Sequence, residues 1–373
     1  MCQLAILLSI ASAGCGSSCG SDNNSNKAKP TLQPNPSSNM TPTPNKSSEE
    51  QAFDALVAKV LTCKWKDARG FLPRCRQLKR FYRSDTLRNE KLLTALLDHK
   101  SERTRWVGAT GLRRGREYRS DVAMATRMVA AMETEANPAV AIALADAISR
   151  IKLKETKLVE RVKKMISDHP SAPARKRLLK HTLFYNKTLL YEFVVELARK
   201  EKNLSVRTAA IASLFTGTPK DRYEDTCKLW RELLADPAPK VGALGGAYLT
   251  RFGRSLCQPH YDAVLAIIAK RAAAGTVKAE QLTDSLRNVY LQASATKQQK
   301  QKTLTIALTM LNNKKNYGPS RARALELLSQ RHPRGKQLVK AHLKDKDGFV
   351  MRRAERLNKT SVKAQRRHRP KAP

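Results

Sequence analysis

Residues Lys202 to Gly217 read KNLSVRTAAIASLFTG, and this line recurs in degenerate form from Thr104 almost to the C-terminus. Its apolar positions lie three and four apart, so one helix face packs inward while the other stays wet. Val206 and Leu214 serve as a ruler. The same pairing recurs at Thr104 with Leu112, Val140 with Ile148, Val241 with Leu249, Ser320 with Leu328 and Phe349 with Leu357, and weaker copies start near Ala174 and Lys278. The steps, about 29 to 42 residues, match stacked two-helix repeats.

Through Val206, Arg207, Ala209, Ala210 and Leu214 the line resembles the second helix of a HEAT repeat. The resemblance implies an all-α chain, a right-handed α-solenoid of about eight HEAT-like helix pairs whose second helices line the concave surface. It also bears on the ruler's second position, which is Arg105, Arg175, Arg207 and Arg321 in four of the units. HEAT repeats keep an arginine there for an interrepeat hydrogen-bond ladder to backbone or aspartate. The residues alone allow another reading, a row of guanidinium groups that binds phosphates or carboxylates bidentately. Flanking clusters extend that row: Arg113, Arg114 and Arg116; Arg175, Lys176, Arg177 and Lys180; Arg352, Arg353 and Arg356.

Composition fits a helical stack. Hydrophobic residues make up 41% of the 373 positions and aromatic residues only 5%, with little alternating β pattern. The 71 Lys and Arg outnumber 32 Asp and Glu, a formal charge of +39. Solubility asks for far less, so an anionic partner is expected. Sparse aromatic interleaving weighs against single-strand recognition by base stacking.

Ahead of the repeats, Leu4 to Ala13 (LAILLSIASA) is an apolar run of signal-peptide length, too short to span a bilayer. Ser12-Ala13-Gly14-Cys15 resembles the lipobox of bacterial lipoproteins, although Ser12 stands where Leu is usual and Met1-Cys2-Gln3 carries no base. The resemblance implies lipid attachment at Cys15 and, with Gly16 following, the outer membrane. Cleavage after Ala13 would instead release a secreted or periplasmic protein. Residues 1–14 are thus expected as signal peptide and 15–50, rich in Ser, Asn, Pro and Thr, as a disordered linker. In the linker Lys27, Lys29 and Lys46 offset Asp22, Glu49 and Glu50, so the basic charge belongs to residues 51–373. The solenoid is expected over 51–358 and a basic disordered tail over 359–373.

Four cysteines of the body, Cys63, Cys75, Cys227 and Cys257, suit an oxidising compartment, and the pairs Cys63 with Cys75 and Cys227 with Cys257 are expected. Cys257 and His260 have ligand-like spacing but no further ligands nearby, so no metal is expected. His99 and His169, each beside an acid at a helix end, suit the helix dipole better than proton transfer. Asn137-Pro138 and Asp236-Pro237 are expected to cap second helices. No Ser elbow, paired carboxylates or nucleotide loop is present, and Val241-GALGG lacks the Lys-Ser/Thr of a phosphate loop. Bilin lyases and a DNA alkylpurine glycosylase share this repeat class, yet no residue match supports either. The sequence therefore predicts a noncatalytic, cofactor-free, membrane-anchored scaffold whose partner is an envelope protein with an acidic face. The alternative partner is a polyanion: lipopolysaccharide, anionic phospholipid or nucleic acid.

Overall fold

The computed structural model describes residues 47–66, 72–73, 78, 90–115, 117–252 and 256–367. The chain divides into Met1–Lys46 and a second unit, Ser47–Pro373. Cys15, the expected signal peptide and nearly all of the expected linker lie outside the described residues.

Helix α1 (Ser48–Thr62) opens the second unit. It begins inside the expected linker because Ser47 and Glu50 form a reciprocal cap, each backbone N–H donating to the other's side chain. A two-residue antiparallel pair, β1 (Trp65–Lys66) and β2 (Leu72–Pro73), follows it. Eight helix pairs come next among the described residues. They are α2 (Glu90–Leu97) with α3 (Glu102–Arg114), α4 (Val122–Thr134) with α5 (Pro138–Ile148), α6 (Thr156–Asp168) with α7 (Ala172–Tyr185), and α8 (Lys187–Lys200) with α9 (Leu204–Gly217). The remaining four are α10 (Tyr223–Leu234) with α11 (Pro239–Arg251), α12 (Tyr261–Ala274) with α13 (Gln281–Leu291), α14 (Lys297–Asn312) with α15 (Gly318–Arg331), and α16 (Gly335–Ala341) with α17 (Gly348–Arg367).

Within each pair the helices pack on one another, and each second helix also packs on the second helices before and after it, from α3 to α17. The result is an all-α stack with one hydrophobic core running from Leu56 to Ala354. Burial of one stripe per helix drives this, since a single pair cannot cover its own apolar face.

Capping sets the register. Asn137 accepts from the N–H groups of Ala139 and Val140, and Asn203 from those of Ser205 and Val206. Third after the cap stands the fully buried ruler residue: Val140 and Val206 here, Thr104, Ala174, Val241 and Ser320 elsewhere. Two ruler positions need correction on that basis. Asp347 caps α17, accepting from Phe349 and Val350, so Val350 is the buried residue and Phe349 is 53% exposed. Similarly α13 starts at Gln281, and Thr283 rather than Lys278 faces inward. Asp236 is not a cap either: Ala238 holds that position, with Pro239 in the first turn.

The expected tail also changes. Residues 359–367 continue α17, because Lys, Ala, Gln and Arg are good helix formers and no Gly or Pro interrupts them. Cys227 on α10 and Cys257, just ahead of α12, form the expected disulfide with their Cα atoms 5.5 Å apart. Cys63 is disulfide-bonded, and Cys75 lies outside the described residues.

Candidate functional site

The four arginines at the ruler's second position turn toward the loops between helices. Nε of Arg207 donates to the Ala198 carbonyl near the end of α8 at 2.8 Å, and Nη2 to Asp236 in the next repeat's turn at 2.5 Å. Arg175 does the same with the Ile166 carbonyl (2.6 Å) and Glu201, and Arg321 with the Leu311 carbonyl and Asp345 (both 2.9 Å). Arg105 forks onto Glu135 at 2.7 and 2.9 Å and reaches the carbonyls of His99 and Lys100. Each carboxylate also accepts the backbone N–H two residues further on, at Asn137, Asn203, Ala238 and Asp347. Burial would raise Asp345, but the Asp347 N–H and Arg321 together hold it below the usual carboxylate range.

These guanidinium groups are thus spent inside the fold as rungs joining one repeat to the next. Of the two readings of Arg105, Arg175, Arg207 and Arg321, the interrepeat hydrogen-bond ladder is the one these contacts follow, and the row of groove-facing anion ligands is corrected accordingly. Where the arginine is missing, the next turn can reach back instead. Ala141 replaces it in α5, and the His169 ring hydrogen-bonds the Met132 carbonyl near the end of α4 while accepting from the Ser171 N–H. Burial pushes His169 below its ordinary value, so it acts as a neutral hydrogen-bonding ring and not as a charge on a helix dipole. Beyond α13, Asn313 and Asn316 bind the Ala272 carbonyl in the same manner.

Of the other sequence candidates, Arg353 pairs with Glu326 at 2.8 Å, Arg352 lies 5.2 Å over the exposed Phe349 ring, and Lys176 is exposed. These do not converge with one another.

A different group does converge. Asp146, on α5, is only 5% exposed. Arg113 from α3 donates to its Oδ2 at 2.7 Å, while Arg177 from α7 and Arg150 just after α5 stand 3.8 and 4.0 Å from its Oδ1. Burial pushes the Asp146 carboxyl up, but the Arg113 hydrogen bond and the charges of Arg177, Arg113 and Arg150 outweigh this and keep it ionised. His181 on α7 completes the group, and burial, then the charges of Arg150 and Lys180, lower its value so that it stays neutral. Three cations therefore face one anion. Asp146 Oδ1, Arg150 Nε and His181 Nε2 are buried without a hydrogen-bond partner. Toward the C-terminus of the same helix layer Arg323 pairs with Glu280 and Glu326, and Arg353 with Glu326. Arg113 and Arg177 stood in the sequence's charge clusters, whereas Asp146 did not. Its signal was a lone acid within the apolar run of α5.

No family model and no curated protein matches the chain. Among solved structures, the X-ray structure of YibA of E. coli is similar, with 16% identity, coverage of 76% of this chain and 95% of that chain, and a TM-score of 0.44. The helix pairs and their stacked layers give the chain an all-α, HEAT-like solenoid fold. Among the described residues no group of His, Cys, Asp or Glu has metal-holding geometry, and no helix is long and apolar enough to cross a membrane.

The rungs carry a measurable prediction. Arg207→Gln leaves Asp236 mostly buried beside an emptied site, and chemical denaturation should show a loss of about 3 kcal/mol. In a double-mutant cycle with Asp236→Asn the pair should couple by about 1 kcal/mol or more. Strict additivity would mean that the rung does not join the repeats.

Proposed function

We propose that this protein is a noncatalytic binding scaffold whose second-helix layer holds an acidic group of a partner protein at the Arg113, Arg150 and Arg177 cluster. One observation carries the reading: three guanidinium groups from neighbouring elements surround a single buried carboxylate and leave a local surplus of positive charge. Guanidinium forks suit carboxylates and phosphates, and a site partly shielded from water strengthens such contacts. The formal charge of +39 favours a second reading, in which the ligand is a polyanion.

Binding of the full chain to poly-glutamate and to heparin across a salt series separates the two. Poly-glutamate binding that largely survives physiological salt supports an acidic protein partner. Affinity for heparin alone, falling steeply with salt, supports the polyanion, since counterion release then dominates. In either case the cluster is the site only if affinity falls in Arg113→Gln/Arg150→Gln/Arg177→Gln and rises in Asp146→Asn, which removes the competing carboxylate. Unchanged affinity in both variants would dismiss it.

The scaffold is proposed to be lipid-anchored in the bacterial envelope through Cys15, a reading supported by the apolar run and the lipobox-like residues before it. Radiolabelled palmitate should enter the chain and be absent from Cys15→Ala; label persisting in that variant would refute the anchor.

A further inference from the structure

One boundary in the stack has no rung. In α11 the ruler's second position is Gly242, and in the next turn Lys278 stands two residues before the cap of α13, where the other rungs have their carboxylate, while the cap itself, Glu280, pairs with Arg323. Gly275 ends α12 in the left-handed conformation, at φ 70°. Here Arg271, in the last turn of α12, extends back toward Gly242, where a Cβ would stand 3.2 Å from its Nη1 and 3.0 Å from the Leu234 carbonyl. The absent side chain is what makes room for this guanidinium. Among the described residues Arg271 has no carboxylate within ion-pair distance.

An open cleft of about 270 Å³ lies at this boundary, lined by Arg271 and Lys278 with Asp236, Thr276, Pro239 and Leu282 among its walls. Asp236 does not neutralise it, because its oxygens are engaged by Arg207 and by the Ala238 N–H. Two uncompensated cations thus face a cleft smaller than the roughly 300 Å³ at which drug-sized pockets begin. Each arginine rung of this fold is closed by a carboxylate, and here the guanidinium is present without one.

We propose that this cleft is a carboxylate-binding site in which Arg271 and Lys278 hold an acid supplied from outside, completing the rung that the chain leaves open. The acid is either a free short dicarboxylate or an acidic side chain presented by another protein. The site is separate from the Asp146 cluster, so its failure would leave that reading untouched.

Calorimetric titration of the full chain with glutarate and with acetyl-Gly-Glu-Gly-amide tests it. At least one probe should bind, and that binding should be kept in Arg113→Gln/Arg150→Gln/Arg177→Gln. Arg271→Gln should weaken that binding by about tenfold or more, as expected when a charge-assisted hydrogen bond is lost. Lys278→Gln, at an exposed position, should weaken it less. Tighter binding of the peptide assigns the acid to a partner, and binding of glutarate alone assigns it to a free metabolite; both support the site. Absence of binding by both probes at millimolar concentration would overturn it, as would affinity unchanged in Arg271→Gln. Because Arg271 has no internal carboxylate partner, its replacement should also leave the unfolding midpoint in place. An Arg271→Gln chain that unfolds would show the guanidinium already used by the fold, and would equally overturn the proposal.

Discussion

A guanidinium group that bonds a helix-end carbonyl in its own repeat and a carboxylate in the next is the interaction on which this stack depends. Apolar burial explains why helix pairs stack, but it is non-directional and tolerates sliding. The rung supplies direction. Ala198, Arg207, Asp236 and the Ala238 N–H form one chain of hydrogen bonds across a boundary, satisfying backbone groups that helix ends leave without partners. The side chains involved are mostly buried, 16% exposed for Arg207 and 10% for Asp236, so solvent and salt screen them little.

The rungs vary in chemistry while their geometric task persists. His169 and the pair Asn313 and Asn316 reach backward where no arginine reaches forward. Only the boundary between α10/α11 and α12/α13 lacks both devices among the described residues. That boundary is crossed instead by the Cys227–Cys257 disulfide, which closes a separation of 30 residues. In the chain-entropy account such a link stabilises by about 3 kcal/mol, comparable with a rung. A glycine of α11 adds close approach there: a Cβ on Gly246 would meet Ser285 Oγ of α13 at 3.0 Å.

Much of this was legible in the sequence, and the reasons are physical. Residue spacing in KNLSVRTAAIASLFTG reports one buried helix face, so the repeat, its period and the position of the arginines could be read directly. An even count of cysteines likewise pointed to disulfides, although four cysteines allow three pairings and only the fold selects Cys227 with Cys257. The direction of the arginines was not in the spacing and came only with the HEAT resemblance, because Glu135, Glu201, Asp236 and Asp345 lie 24 to 30 residues further on, in loops of differing length. Register failed at Phe349 and Lys278 for a related reason. Both lie beside a helix start, and apolar spacing says little there until the cap is known. The Asp146 cluster draws on three helices, and only folding brings them together.

The cations divide their labour accordingly. Arginines at the rung position hold the repeats in place, and those one face away, Arg113, Arg150 and Arg177, gather around Asp146. Rungs join the repeats, and the disulfide substitutes for the missing one. Hydrogen exchange on Cys227→Ala/Cys257→Ala tests this most directly. Protection should fall first in α10 to α12, separating two blocks that each remain protected. Protection lost first across the Arg175–Glu201 or Arg207–Asp236 boundary, with α10 to α12 unaffected, would contradict it.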